Sequence, residues 1–235
     1  MMHGQGTILL FIKEPHQGRV KSRIAAVLGE QTARALYQCF VLDELDTIDR
    51  TDLRRTIFVH PPEAVPSVSA WLAGRGRFLP QIGADLGARM EQAFRAIFAE
   101  GAPRAVLIGS DLPDLPASLL EEAMTALDRS DAVIGPAQDG GYYLIGFRSE
   151  RFLAEPFRGI TWSAADVLER TREILEAAGR SSHVLPLWRD MDTVEDLRSL
   201  LQRKQNSAFS ASRTMRLLVS LQGTLFGTEE PHAHL

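Results

Sequence analysis

Cysteine is almost missing from this chain. Cys39 is the single one among 235 residues, which excludes an intramolecular disulfide and any cysteine-cluster metal site and fits a reducing, cytoplasmic setting. Long apolar runs are missing as well. The longest, such as Ile8-Leu9-Leu10-Phe11-Ile12, are strand-sized and far below the roughly 18 residues of a membrane span. The N-terminal Met-Met-His-Gly-Gln-Gly lacks the basic, apolar and small-residue order of a secretion signal, so none is expected. There is no basic excess: 26 Lys and Arg against 30 Asp and Glu leave a net charge of −4, and such a chain has no general attraction for nucleic acid or anionic membrane. Any polyanion it binds must be held by a local cluster. No internal repeat or low-complexity tract is present. With 45% hydrophobic and 24% charged residues, the composition is that of a globular protein able to fold alone.

What is present is an alternation of strand and helix signals. Strands are predicted over Thr7 to Lys13, Arg55 to His60, Phe78 to Gln81, Arg104 to Ile108, Ala132 to Ile134, Tyr142 to Phe147 and His183 to Leu187. Between them, helical spacing of apolar residues predicts helices from Glu30 to about Asp49, from Glu63 to about Gly74 with an interruption at Pro66, from Leu86 to about Glu100, and around Leu119 to Leu127. A further helix to about Ala178 is predicted behind a Ser163 cap, and another to about Gln205 behind Thr193-Val194-Glu195-Asp196. Ser207 to Ser212 reads as a linker, Met215 to Leu221 as a short helix and Gly227 onward as a tail. Alternating strands and helices imply an α/β fold, an open mostly parallel sheet sandwiched by helices, with ligands gathered at the carboxyl ends of the strands.

Four loops that follow strands carry the residues phosphate and metal chemistry requires. In the first, Lys13, Pro15, Gly18, Lys21 and Arg23 place cations and helix-start amides where a di- or triphosphate could be neutralised. It is not a P-loop, because the Gly-Lys-Ser adjacency is missing; alone it reads equally well as a solvated basic patch. In the second, Gly109-Ser110-Asp111-Leu112-Pro113, Asp111 stands at a strand end where a carboxylate can ligate magnesium or manganese, while Asp114 steadies the turn. The third, Asp190-Met191-Asp192-Thr193, offers two more carboxylates for the same ion. Its Asp-x-Asp-x-Thr/Val look also fits haloacid-dehalogenase-like phosphatases, but only 43 residues follow Asp192, too few for the body of that fold. The fourth, Gln138-Asp139-Gly140-Gly141-Tyr142-Tyr143, lets backbone approach a ligand closely beside a tyrosine, and doubles as a plain turn signal. Gln81, Gly83, Asp85 and Arg89 form a similar glycine-containing entry to a helix, with Asp85 able to cap and Arg89 able to reach an anion. Cys39 reads as a small core residue and Trp162 as packing. His16, His60 and His183 build neither a zinc spacing nor a catalytic triad.

In this order the loops resemble an uncharacterised bacterial family of the nucleotide-diphospho-sugar transferase superfamily, with the glycosyltransferase A fold. The resemblance spans roughly Thr7 to Lys204 and rests on the motifs at Lys13 to Arg23, Gln81 to Met90, Gly109 to Pro113, Gly135 to Tyr143 and Asp190 to Leu197. The Lys-Ser-Arg and Asp-x-Asp-Thr elements are also similar to guanylyltransferases that activate 2-phospholactate or phosphoenolpyruvate. The resemblance implies a transferase domain over 1–206 with a C-terminal extension over 207–235. It implies a nucleotide or nucleotide-sugar site with Mg2+ or Mn2+ on Asp111, Asp190 and Asp192. Lys13, Lys21 and Asp111 would be catalytic, and substrate would be bound by Pro15, Gly18, Arg23, Gln81, Gly83, Asp85, Arg89, Ser110, Asp139, Gly140, Gly141 and Tyr142 as well. Gly-Ser-Asp departs from the Asp-x-Asp of many glycosyltransferases. The expected reaction is glycosyl transfer from a nucleoside diphosphate sugar to an unknown acceptor. Its alternatives are nucleotidyl transfer from a nucleoside triphosphate to a small phosphorylated acceptor, and a noncatalytic nucleotide-binding domain.

Overall fold

A computed structural model describes residues 6–15, 20–162 and 164–227. In chain order its elements are β1 (Thr7–Lys13), α1 (Ser22–Leu28), α2 (Glu30–Ile48), β2 (Arg54–His60), α3 (Val65–Trp71), β3 (Arg77–Pro80), α4 (Leu86–Ala99), β4 (Arg104–Ile108), α5 (Ala117–Ala126), β5 (Ala132–Pro136), β6 (Tyr142–Arg148), α6 (Val167–Ala177), β7 (Ser182–Val184), α7 (Val194–Lys204), α8 (Arg213–Ser220) and α9 (Gln222–Phe226). The seven strands form one sheet in the order β3-β2-β1-β4-β6-β5-β7. Only β6 runs against its neighbours: it pairs antiparallel with both β4 and β5, whereas the other pairings are parallel.

Side-chain alternation explains the layers. In β1, Ile8, Leu10 and Ile12 face α2, α3 and α5, while Leu9 and Phe11 face α4 and the aromatic cluster of Phe94, Phe147 and Phe157. Because both faces are covered, the strand is a near-continuous apolar run. A third cluster lies outside the sheet, where Ile24 of α1, Leu36 and Phe40 of α2, Leu197 and Leu200 of α7, Met215 and Leu218 of α8, and Leu225 of α9 pack together.

Several local expectations need correction. Pro66 does not interrupt a helix but sits in the first turn of α3, where its missing N–H costs nothing. Ser163 lies outside the described residues, and α6 starts only at Val167 behind Asp166. Ser207 to Ser212 is no loose linker: Ser207 caps a 3-10 turn over Ala208–Ala211 and Ser212 caps α8. The last strand is Ser182–Val184, shorter than predicted, and Cys39 is only partly buried.

The Thr193 signature is a complete capping box, with Thr193 accepting from the Asp196 N–H and Asp196 accepting from the Thr193 N–H. Thr193→Ala is therefore expected to lower unfolding stability by about 1 kcal/mol, read as a reduced denaturant midpoint at unchanged slope.

Candidate active site

At the carboxyl ends of β1 and β4 a cleft of about 430 Å3 opens, lined by Lys13, Lys21, Arg23, Arg89, Asp111 and Asp192 among others. A second chamber of about 270 Å3 adjoins it and shares Phe11, Leu86, Gly109, Asp111 and Asp192 with the first. The chain thus brings loops that are distant in sequence to one place.

The junction of the chambers is an ion triad. Lys21 Nζ lies 2.6 Å from Asp111 Oδ1 and 2.8 Å from Asp192 Oδ1. The Lys21 side chain is only 4% exposed, while the two carboxylates are 40% and 45% exposed. Burial pulls the ammonium towards neutrality, but Asp111 and Asp192 outweigh it and keep Lys21 charged. Its Nζ also stands 5.8 Å over the Phe40 ring. Lys21 itself is the N-cap of α1 in the left-handed conformation, φ 52°. Strain of this kind persists where surrounding contacts over-determine it.

One face of α2 is the floor of the site. The Tyr37 hydroxyl accepts the Lys13 N–H at 2.8 Å and shares a second hydrogen bond with Ser110 Oγ, also at 2.8 Å. Phe40, one turn on, lies under Lys21. Glu44, a further turn on, accepts the buried N–H of Leu112 at 2.5 Å. Burial drives the Glu44 carboxyl well above the usual carboxylate range. The Asp111 carbonyl in turn accepts the N–H of Met191 at 2.9 Å, tying the two acidic loops together. In the sequence Tyr37 and Phe40 belong to the apolar spacing that predicts the helix from Glu30 to about Asp49, and Glu44 falls outside that spacing. No local signal marks Glu44, since a lone carboxylate seven residues after Tyr37 reads as solvent-facing until the Leu112 loop is placed above it.

Asp190 lines the second chamber with Asp139, Gly141, Tyr142 and Trp162. Burial first, and then the charges of Asp111, Asp139 and Asp192, push its carboxyl up to about 7. Asp111 and Asp192 pair with Lys21 and share the second chamber with Asp139 and Asp190, four carboxylates whose excess of negative charge suits a divalent cation. They are not a preassembled cage, since among the described residues no three such groups already stand together as metal ligands and Lys21 fills the space between Asp111 and Asp192.

The remaining expected residues fall into two groups. Gln81 lines the cleft and is fixed there, donating its amide to the carbonyls of Ile12 at 3.2 Å and Phe58 at 2.9 Å. Ser110 lines it through the Tyr37 contact. Arg89 reaches it without a carboxylate partner among the described residues, and its buried Nε has no acceptor. Pro15, Gly83, Asp85 and Gly140 line neither chamber. Asp85 spends its carboxylate capping α4 through the Ala88 N–H at 2.8 Å. At Gly140, φ 90°, a Cβ would stand 2.0 Å from the Ala165 carbonyl, so this glycine serves the approach of the α6 segment. Gly18 lies outside the described residues. Asp114 is buried, accepting from Trp188 Nε1 at 3.1 Å and pairing with Lys204 at 3.1 Å, which steadies the acidic loop.

The profile of a family described as an uncharacterized protein conserved in bacteria, DUF2064, matches residues 43–164. A crystal structure from Desulfovibrio desulfuricans G20, provisionally described as a nucleotide-diphospho-sugar transferase, superposes with a TM-score of 0.90 at 42% identity, covering 94% of this chain and 96% of that one. A protein of Phenylobacterium zucineum (strain HLK1) named 3-phospho-D-glycerate guanylyltransferase is 34% identical over 138 residues, which are 55% of this chain and 61% of that protein's length. A nucleotidyl transferase from Methanothermobacter thermautotroptrophicus shares the fold, with a TM-score of 0.61 at 13% identity over 85% of this chain and 97% of its own.

Two measurements test this arrangement. Glu44→Ala strands the buried Leu112 N–H and should cost about 1–3 kcal/mol, whereas Glu44→Gln, which retains an acceptor, should fall well inside that loss in chemical denaturation. Asp190 is raised in the folded state, so its contribution favours folding at low pH and is lost as pH rises from the ordinary aspartate range through about 7. Asp190→Asn should therefore gain stability relative to the parent protein between pH 5 and pH 8, seen as a growing difference in Tm.

Proposed function

The chain belongs to the DUF2064 family, and we propose that it is a nucleotide-dependent transferase that moves a nucleotidyl group from a nucleoside triphosphate to a small phosphorylated acceptor. The observation that carries this reading is the meeting of Lys13, Lys21, Arg23 and Arg89 with Asp111 and Asp192 at one cleft on the strand ends. The guanylyltransferase name of the Phenylobacterium protein supports nucleotidyl over glycosyl transfer, as does the lack of an Asp-x-Asp at Gly109-Ser110-Asp111.

Phosphoryl chemistry of this kind is mostly positioning and charge neutralisation. Lys13 and Arg23 hold the triphosphate at the mouth of the cleft, and Arg89 supplies donors that no carboxylate of the described residues consumes. An acceptor phosphate oxygen attacks the α-phosphorus, the bond to the β-phosphate oxygen breaks, and pyrophosphate leaves with its charge met by these cations. Gln81 keeps its carbonyl oxygen for a nucleobase donor, its amide being committed to the strands. Tyr37 and Glu44 hold the loops in register while this happens. Asp111, Asp192 and Asp190 would hold Mg2+ or Mn2+, which supplies Lewis-acid neutralisation of phosphate oxygens. For that, Lys21 turns its ammonium from the carboxylates to the phosphates.

A second reading, glycosyl transfer from a nucleoside diphosphate sugar, is favoured by the 42% identical Desulfovibrio structure and its description. The products separate the two: pyrophosphate release marks nucleotidyl transfer, and free nucleoside diphosphate marks sugar transfer. Magnesium or manganese with a nucleoside triphosphate at a hundredfold excess over Kd should stabilise the protein by about 2.7 kcal/mol, read as a rise in Tm. Asp111→Ala should abolish the metal-dependent part of that rise, and an undiminished rise removes Asp111 from the metal site.

A further inference from the structure

The second chamber is chemically unlike the first. Its walls are Leu86 and Met90 from α4, the rings of Tyr142 and Trp162, and the carboxylates of Asp139 and Asp190. The two rings meet edge to face, with centroids 6.2 Å apart and an interplanar angle of 89°. Among the described residues that line it there is no lysine, arginine or histidine. Its carboxylate lining consists of Asp111, Asp139, Asp190 and Asp192, and the Lys21 ammonium near two of them is already shared.

The chamber is also built to keep this shape. Gly87 lets Trp162 press onto α4: a Cβ there would stand 2.0 Å from the Phe157 carbonyl and 2.7 Å from the indole ring. The Asp139 turn is closed by the Gly141 N–H donating to Asp139 Oδ1 at 2.9 Å, and Gly140 carries the backbone of α6 through its carbonyl, which accepts the Leu168 N–H at 2.9 Å. One Asp139 oxygen is left for an incoming donor.

We propose that this chamber holds the body of the acceptor, and that this body is polyhydroxylated and bears no anionic group beyond the reacting phosphate. A sugar or polyol phosphate has this chemistry. Its phosphate end rests on the nucleotidyl-transfer reading; its body follows from the lining alone. Carboxylates only accept, so they select hydroxyl hydrogens, in charge-assisted bonds. The apolar C–H face of a sugar ring matches the faces of Trp162 and Met90. With a divalent cation on Asp111, Asp190 and Asp192, a second anion on the body would still face Asp139, and no lysine, arginine or histidine among the described lining residues stands there to meet it. The Phenylobacterium protein, by contrast, is named for 3-phospho-D-glycerate, whose carboxylate is such an anion.

The test uses the full chain with magnesium and without nucleotide. Tryptophan fluorescence is titrated with glucose 1-phosphate, 3-phosphoglycerate and inorganic phosphate, with Trp162→Phe identifying the responding ring. Glucose 1-phosphate is expected to bind at least tenfold more tightly than either of the others, about 1.4 kcal/mol, with the response lost in Trp162→Phe. Asp139→Lys, a change on an exposed turn checked by its unaltered melting, should shift the preference towards 3-phosphoglycerate by at least tenfold. Equal or tighter binding of 3-phosphoglycerate, inorganic phosphate matching the sugar phosphate, or the absence of any response from Trp162 would each overturn the proposal. Pyrophosphate release with the four nucleoside triphosphates is measured in parallel. Tight sugar phosphate binding with no pyrophosphate refutes nucleotidyl transfer and leaves the chamber assignment standing, while faster release with 3-phosphoglycerate refutes the chamber assignment alone.

Discussion

A lysine ammonium held between Asp111 and Asp192, at 2.6 and 2.8 Å, is the contact on which the rest of the site depends. A buried positive charge is costly unless it is paired, and here the partners come from loops 81 residues apart in sequence. The pairing keeps Lys21 ionised, draws the acidic loops to the mouth of the basic cleft, and holds the start of α1 in a conformation that only dense contacts sustain. It also leaves Asp190 short of countercharge. The site is thus internally neutralised only in part.

Beneath this pair lies a helix whose buried face does two jobs. Val41 and Leu45 of α2 seal the sheet, and Leu36 and Phe40 seal the outer layer with α7 and α8. Between them Tyr37, Phe40 and Glu44 contact the Lys13, Lys21 and Leu112 segments in turn. The hydrogen bonds are to backbone N–H groups or to a serine, and burial raises the Tyr37 phenol and lifts the Glu44 carboxyl well above the usual carboxylate range. The floor thus meets the groups above with oriented hydrogen-bonding dipoles.

The framework was legible because its signals are local. A strand covered on both faces is an unbroken apolar run, and β1 begins and ends where Thr7 and Lys13 said it would. The capping box at Thr193 is written in two residues. The reversal of β6 is not in its own residues, since Tyr142 to Phe147 carries the same apolar pattern in either direction; its mark is the short Ala137 to Gly141 turn, too brief for a crossover. Among the site residues, Lys13, Lys21, Arg23, Arg89, Asp111 and Asp192 stood out because loops concentrate polarity after strands, and they share one cleft. Glu44 was illegible for the opposite reason: a single carboxylate in an apolar stripe is indistinguishable from a solvent-facing one until the Leu112 loop is seen above it. Asp85 and Gly140 looked like ligands because capping and close backbone approach use the same residue types as binding does.

The division of labour between the two chambers has a corollary for how such a protein diversifies. The apolar and aromatic walls of the second, Met90, Tyr142 and Trp162, come from α4, β6 and the segment before α6, none of which belongs to the floor helix. Exchanging one of these three, which the first chamber does not use, leaves the Lys21 triad and its floor in place. On the proposed reading, new acceptors can then be explored one side chain at a time, on a chassis that has no need to be rebuilt.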